Sequence, residues 1–152
     1  MNFEVSIFKA ILLKNTIPKF GEVLLPIMYR RHDDEPVKML GNIYPFSKID
    51  NENQYDYEGI LLHCSTEGIR YIIPYLIEYF LESQENLSSN LFDSFEQMPS
   101  VTIPYEKDLE KFIESLTVEE RHAFIEGLDN IEQNLKHVRY SVDGITQWKN
   151  LM

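Results

Sequence analysis

The chain has one cysteine, Cys64, among its 152 residues, so no intramolecular disulfide can staple it. Its six glycines are scattered, and none falls in a G-x-G-x-x-G or P-loop arrangement, which excludes the familiar glycine-rich phosphate cradles. No window approaches 18 uncharged apolar residues, the length a membrane span needs. The start, "MNFEVSIFKAILLKN", carries Glu4 and Lys9 inside its apolar part and has no small-residue cleavage site, so it does not read as a signal peptide. A cytoplasmic location is the expectation.

Basic residues are also scarce. Lys and Arg total 14 against 25 Asp and Glu, a formal net charge of −11. Neutralising a phosphate backbone takes Lys and Arg, so this balance opposes nucleic-acid binding and favours a basic partner. The deficit is local. Between Lys48 and Lys107 the only base is Arg70, while that interval holds Asp50, Glu52, Asp56, Glu58, Glu67, Glu78, Glu82, Glu85, Asp93, Glu96 and Glu106. One sign of charge over so long a stretch either serves solubility or forms a docking surface. As a docking surface, with Asp56, Glu58, Glu78, Glu82, Glu85, Asp93 and Glu96 as candidate contacts, it would mimic phosphates toward a cationic protein such as a nuclease domain.

What is present is ordinary globular material. The hydrophobic content of 43% is enough for a core, and the length fits one domain, residues 1–152, burying roughly two-thirds of its unfolded surface. There is no internal repeat and no linker. Phe3, Ile7, Ala10, Ile11 and Lys14 suggest an amphipathic helix over 2–14. Pro18, Gly21 and Pro26 make 16–29 a loop with at most a short strand at 22–25. "HDDEPVKMLGN" reads as a compact helix capped by Asp33 or Asp34, with Pro36 in its first turn and Gly41 ending it. Residues 47–58 read as an exposed polar loop, and 88–100 as a turn or two of helix before Pro99. Farther on, Tyr105, Leu109, Phe112, Ile113 and Leu116 share a helical face. Thr117 with Glu120 forms a capping box, and Phe124, Leu128, Ile131, Leu135 and Val138 then recur at helical spacing. The tail is ambiguous, with Trp148 expected to dock somewhere on the domain.

The most hydrophobic stretch is "STEGIRYIIPYLIEYF", residues 65–80, with Ser65 as N-cap and Glu67 in the first turn, where the helix dipole favours an acid. Pro74 interrupts it. At about 100° per residue, Glu67, Arg70, Pro74, Glu78 and Glu82 lie within about 60° of one line, and Glu85 returns to it. This expectation places Pro74 on a solvated outer stripe, where water replaces the hydrogen bond lost at the Arg70 carbonyl and the helix bends. Pro74 starting a separate helix after Ile73 is the alternative. Tyr71, Tyr75 and Tyr79 flank the apolar face.

These residues carry a resemblance. "STEGIRYIIPYLIEYFL" resembles the hallmark T-P-E-x-x-R-Y-[YF]-L-P-A-[YF]-L of a family of small uncharacterised bacterial proteins, through Ser65, Glu67, Arg70, Tyr71, Pro74 and Leu76. A second family signature, L-[ST]-x-x-[EQ], is matched by Leu116, Thr117 and Glu120. Thr66 stands where the family has proline, and Tyr75 where it has a small residue. The likeness covers about residues 60–135, and its motifs are structural. It implies the role of an immunity component of a bacterial toxin system of the contact-dependent growth inhibition type, and supplies no active site.

Nothing else in the sequence nominates catalysis. Glu119 and His122 form one E-x-x-H pair with Glu126 a turn on, but di-iron bundles need two such pairs plus further carboxylates. His63 beside Cys64 lacks a third group, and adjacent residues rarely face each other. His32, His122 and His137 show no metal spacing. The expectation is therefore a mainly α, compact helical domain with a proline-bent central helix, a C-terminal helical pair and room for a minor β element. It would bind a cognate toxin without catalysis, cofactor or metal, with no nucleic-acid or membrane partner, as a monomer or homodimer. A helical scaffold or regulatory subunit for another protein is the alternative.

Overall fold

The computed structural model describes residues 5–13, 17–25, 35–83, 87–100, 105–136 and 142–152. Eight α-helices make up this part: α1 Val5–Leu13, α2 Glu35–Ile43, α3 Gln54–Leu61, α4 Thr66–Ser83, α5 Ser89–Gln97, α6 Tyr105–Ser115, α7 Val118–Leu135 and α8 Asp143–Asn150. Two single 3-10 turns, Phe20–Glu22 and Met98–Ser100, complete it. The expected β element reduces to one antiparallel bridge between Leu24 and Cys64.

Helix α4 is the centre of the fold because it is apolar nearly all round. Ile69, Tyr71, Ile72, Ile73, Leu76, Ile77, Tyr79 and Phe80 are all buried, and α1, α6 and α7 pack on it. Its start is built as expected: the Ser65 hydroxyl accepts the Gly68 N–H at 3.0 Å. The same hydroxyl reaches the Val23 carbonyl at 3.1 Å. Gly68 allows that approach, since a Cβ there would lie 1.9 Å from the Val23 carbonyl oxygen. Residues 23–25 thus cross the first turn of α4, tied by Ser65 N–H to Val23 O (2.9 Å) and Leu25 N–H to His63 O (2.8 Å).

The stripe through Pro74 faces solvent only at its ends, where Glu67 and Glu82 are exposed; its middle does not. Pro74 is buried, and α4 runs unbroken through it, so neither hydration of an outer face nor a separate second helix accounts for it. Helix α1 lies over this stripe instead. Arg70 Nη1 donates to the Leu12 carbonyl at 3.2 Å, and Lys9 pairs with Glu78 at 2.7 Å, one turn to either side of the proline. Angular arithmetic grouped these residues correctly. It carries no information on whether water or another helix covers them.

Other corrections are local. In α1 the buried pair is Phe8 and Leu12, while Ile7 is 59% exposed and Ala10 is also outside; Phe3 and Lys14 fall outside the described residues. Gly41 lies within α2, which continues to Ile43, and the candidate caps Asp33 and Asp34 are outside the described residues. Residues 47–58 are not all loop, because α3 begins at Gln54 and buries Tyr57, Ile60 and Leu61. The polar residues before it bond to one another: Asp50 Oδ1 accepts from Glu52 and Asn53 N–H, and Asn53 Oδ1 from Asp50 N–H.

The C-terminal half follows the sequence closely. The capping box closes, with Glu120 N–H to Thr117 Oγ1 at 3.1 Å and Thr117 N–H to Glu120 Oε1 at 2.9 Å. Leu109, Phe112, Ile113 and Leu116, then Phe124, Leu128, Ile131 and Leu135, are buried, while Val138 lies outside the described residues. Trp148 on α8 docks as expected, stacked on Phe95 at 4.9 Å with its Nε1–H donated to the Phe95 carbonyl at 2.6 Å.

Candidate functional site

The seven nominated acids do not form one free surface, because much of their hydrogen-bonding capacity is used inside the domain. Glu78 holds Lys9 against α4, and Glu82 pairs with Lys48 at 2.5 Å, which raises the Lys48 pKa through that hydrogen bond and its charge. Asp56 accepts from Asn42 Nδ2 at 3.2 Å, and Glu58 accepts from the Ser88 hydroxyl. Glu85 lies outside the described residues. The two lysine pairs lower the charge that a partner would feel.

Asp93 and Glu96 lie together, although each is also engaged within the domain. Both lie on α5, three residues apart and half-buried, and both line an open concavity of about 240 Å³ between α5 and α8. Its other lining residues are Gln97, Ser100, Gly144 and Gln147, so none of its described lining residues is basic. Glu96 Oε2 accepts the Gly144 N–H at 2.9 Å, which fixes the carboxylate at the first turn of α8, where the helix dipole favours a negative charge. Gly144 makes this possible, since a Cβ there would lie 2.3 Å from Glu96 Cβ. The chemistry of this concavity is acceptance: two carboxylates and two amide side chains suit a guanidinium or ammonium group from a partner.

The residues of the two sequence signatures come together as a structural joint. Arg70 Nη1 pairs with Glu120, and Nη2 donates to Ser115 Oγ at 2.9 Å. Glu120 is 1% exposed and serves both as the capping-box acid of α7 and as the partner of Arg70. At the other end of this joint, Asp108 Oδ1 on α6 accepts the Thr66 N–H at 2.9 Å, adding a second cap to α4. No spacing in the sequence pairs position 70 with 120, or 66 with 108. Glu67 is exposed on the first turn, and Pro74 is interior.

Two of the three tyrosines of α4, Tyr71 and Tyr79, are interior, and Tyr75 is partly buried. Tyr71 stacks on Phe46 at 4.0 Å and its hydroxyl accepts the Phe46 N–H at 2.5 Å. Tyr79 OH donates to Gln54 Oε1 at 3.0 Å and accepts from Ser88 N–H at 2.7 Å. Burial pushes the pKa of Tyr71, and of Tyr57 on α3, up to about 12. Of this edge only Tyr75 is partly exposed.

The groups that might have suggested catalysis are placed otherwise. Cys64 is buried, its thiol donates to the Ile60 carbonyl at 3.3 Å, and burial pushes its pKa up, away from a reactive thiolate. Glu119, His122 and Glu126 lie on the exposed face of α7. Among the described residues no cluster of His, Cys, Asp and Glu has the arrangement of a metal site, and no helix is long and apolar enough to cross a membrane. Compared with protein-family models, curated proteins and solved structures, the chain has no match in any of the three.

Proposed function

We propose that this protein is an immunity protein that neutralises a cognate bacterial toxin, basic and nuclease-like, by binding rather than by catalysis. The observation that carries the reading is the concavity between α5 and α8, which gathers Asp93 and Glu96 with no base among its described lining residues. A cationic side chain that holds phosphate in a nuclease would be received there by carboxylates. The net charge of −11 adds long-range attraction that speeds encounter with a basic protein and weakens as salt is added. Resemblance of the Ser65–Leu76 and Leu116–Glu120 stretches to bacterial immunity components supports the same role, as would a cytoplasmic location.

Co-expression with the product of the neighbouring upstream gene tests this. Protection of growth, with the two proteins co-purifying, supports it; a toxic product against which the chain gives no protection and to which it does not bind overturns it. The alternative, a scaffold or regulatory subunit, is favoured if the chain captures a non-toxic partner and Asp93→Lys with Glu96→Lys leaves that capture unchanged.

A further inference from the structure

We infer that the cavity at the start of α4 binds a small zwitterion with an apolar body, of the class of a free hydrophobic amino acid or dipeptide. The cavity encloses about 600 Å³, within the range of about 300–1,000 Å³ common for small-ligand sites. Leu12, Ile17, Pro18 and the ring of Tyr71 give it apolar walls. Ile17, although 54% exposed, faces this space as a lining residue, so an occupant would bury it.

Charges of both signs border the same space: Arg70 and Lys19, and opposite in sign Glu22 and Glu67. The Arg70 side chain keeps 26% exposure, and its hydrogen bonds to Leu12, Glu120 and Ser115 all leave from the two Nη atoms, so Nε–H remains a donor for a ligand. Glu22 is held in place by accepting the Lys19 backbone N–H at 2.9 Å. A simple anion would meet two carboxylates here, and a simple cation would meet a guanidinium and an ammonium. An uncharged lipid would desolvate all four without recompense. A ligand carrying a carboxylate and an ammonium on an apolar frame complements each group.

The test is calorimetric titration of leucyl-leucine into the full chain, beside its N-acetyl and C-terminal amide forms. Saturable binding of leucyl-leucine, weakened about tenfold or more by either cap, is the expected result. Lys19→Ala and Glu67→Gln, both at exposed positions outside the core, should each weaken leucyl-leucine several-fold with circular dichroism unchanged. The inference is overturned by no saturable heat up to roughly 10 mM ligand. It is equally overturned if the capped forms bind as well as the zwitterion, or if both variants bind with unaltered affinity.

Discussion

Replacing Arg70 with methionine should destabilise the protein far more than loss of a surface charge. Glu120 is 1% exposed, and its two oxygens are committed to the Thr117 N–H and to Arg70. Methionine keeps most of the aliphatic stem and removes the guanidinium, so a carboxylate is left in the interior without its counter-charge. Breaking a buried pair from one side costs about 3–5 kcal/mol. A domain of this size has about 5–15 kcal/mol in all, so the loss is a large share. At about 2–4 °C per kcal/mol, the melting temperature should fall by about 6–20 °C. Glu120→Gln keeps an amide oxygen for Thr117 but turns its NH2 toward Arg70, another donor, so it loses the hydrogen bond to the guanidinium, about 1.5–3 kcal/mol. The double variant should be more stable than the sum of the single losses implies, with a coupling of at least about 1 kcal/mol. Urea denaturation followed by Trp148 fluorescence gives all three values. Arg70→Met costing under about 1 kcal/mol, or strictly additive losses, would refute the joint as described.

Gly68→Ala should cost about 1–3 kcal/mol or more in denaturant titration, because its Cβ would meet the Val23 carbonyl 1.9 Å away and backbone must move; a neutral effect would contradict the crossing of 23–25 over α4. Trp148→Phe should lose about 1–3 kcal/mol, since it removes the indole hydrogen bond to the Phe95 carbonyl, which keeps only the Met98 N–H, and leaves a smaller ring in the core, a change to be read by circular dichroism as the variant has no tryptophan. With rising pH, the unfolded chain ionises tyrosine near pH 10, whereas Tyr57 and Tyr71 hold their protons to about 12 when folded. Their contribution is complete below pH 10 and is lost between about pH 10 and 12, so phenolate absorbance should show Tyr57 and Tyr71 ionising late, with Tyr75 also raised by burial, coupled to alkaline unfolding.

The C-terminal helices were the most legible part of the chain, because their signals are local. A capping box lies within four residues, and the row from Phe124 to Leu135 needs only the period of one helix. The Ser65 cap was visible for the same reason. Helix α1 was misread because Ile7, Ala10 and Ile11 make it apolar on more than one side, and only its neighbours select Phe8 and Leu12. Pro74 and its charged stripe failed similarly: the angles were right, but whether α1 or water covers the stripe is a tertiary fact. The acids divided along the same line. Composition marked the acidic interval, yet Glu78 and Glu82 pair with Lys9 and Lys48, and no spacing announced that Asp93 and Glu96 would share a wall with Gly144 and Gln147.

The most direct test of the proposed role is the association rate with the product of the neighbouring upstream gene, measured by stopped flow across a range of salt concentrations. The account predicts a fast, salt-sensitive rate for the native chain. It also predicts that Asp93→Lys with Glu96→Lys slows association, steepens dissociation and abolishes growth protection while the fold is retained. An association rate indifferent to salt, with the reversed-charge variant binding and protecting as well as the native chain, would contradict it.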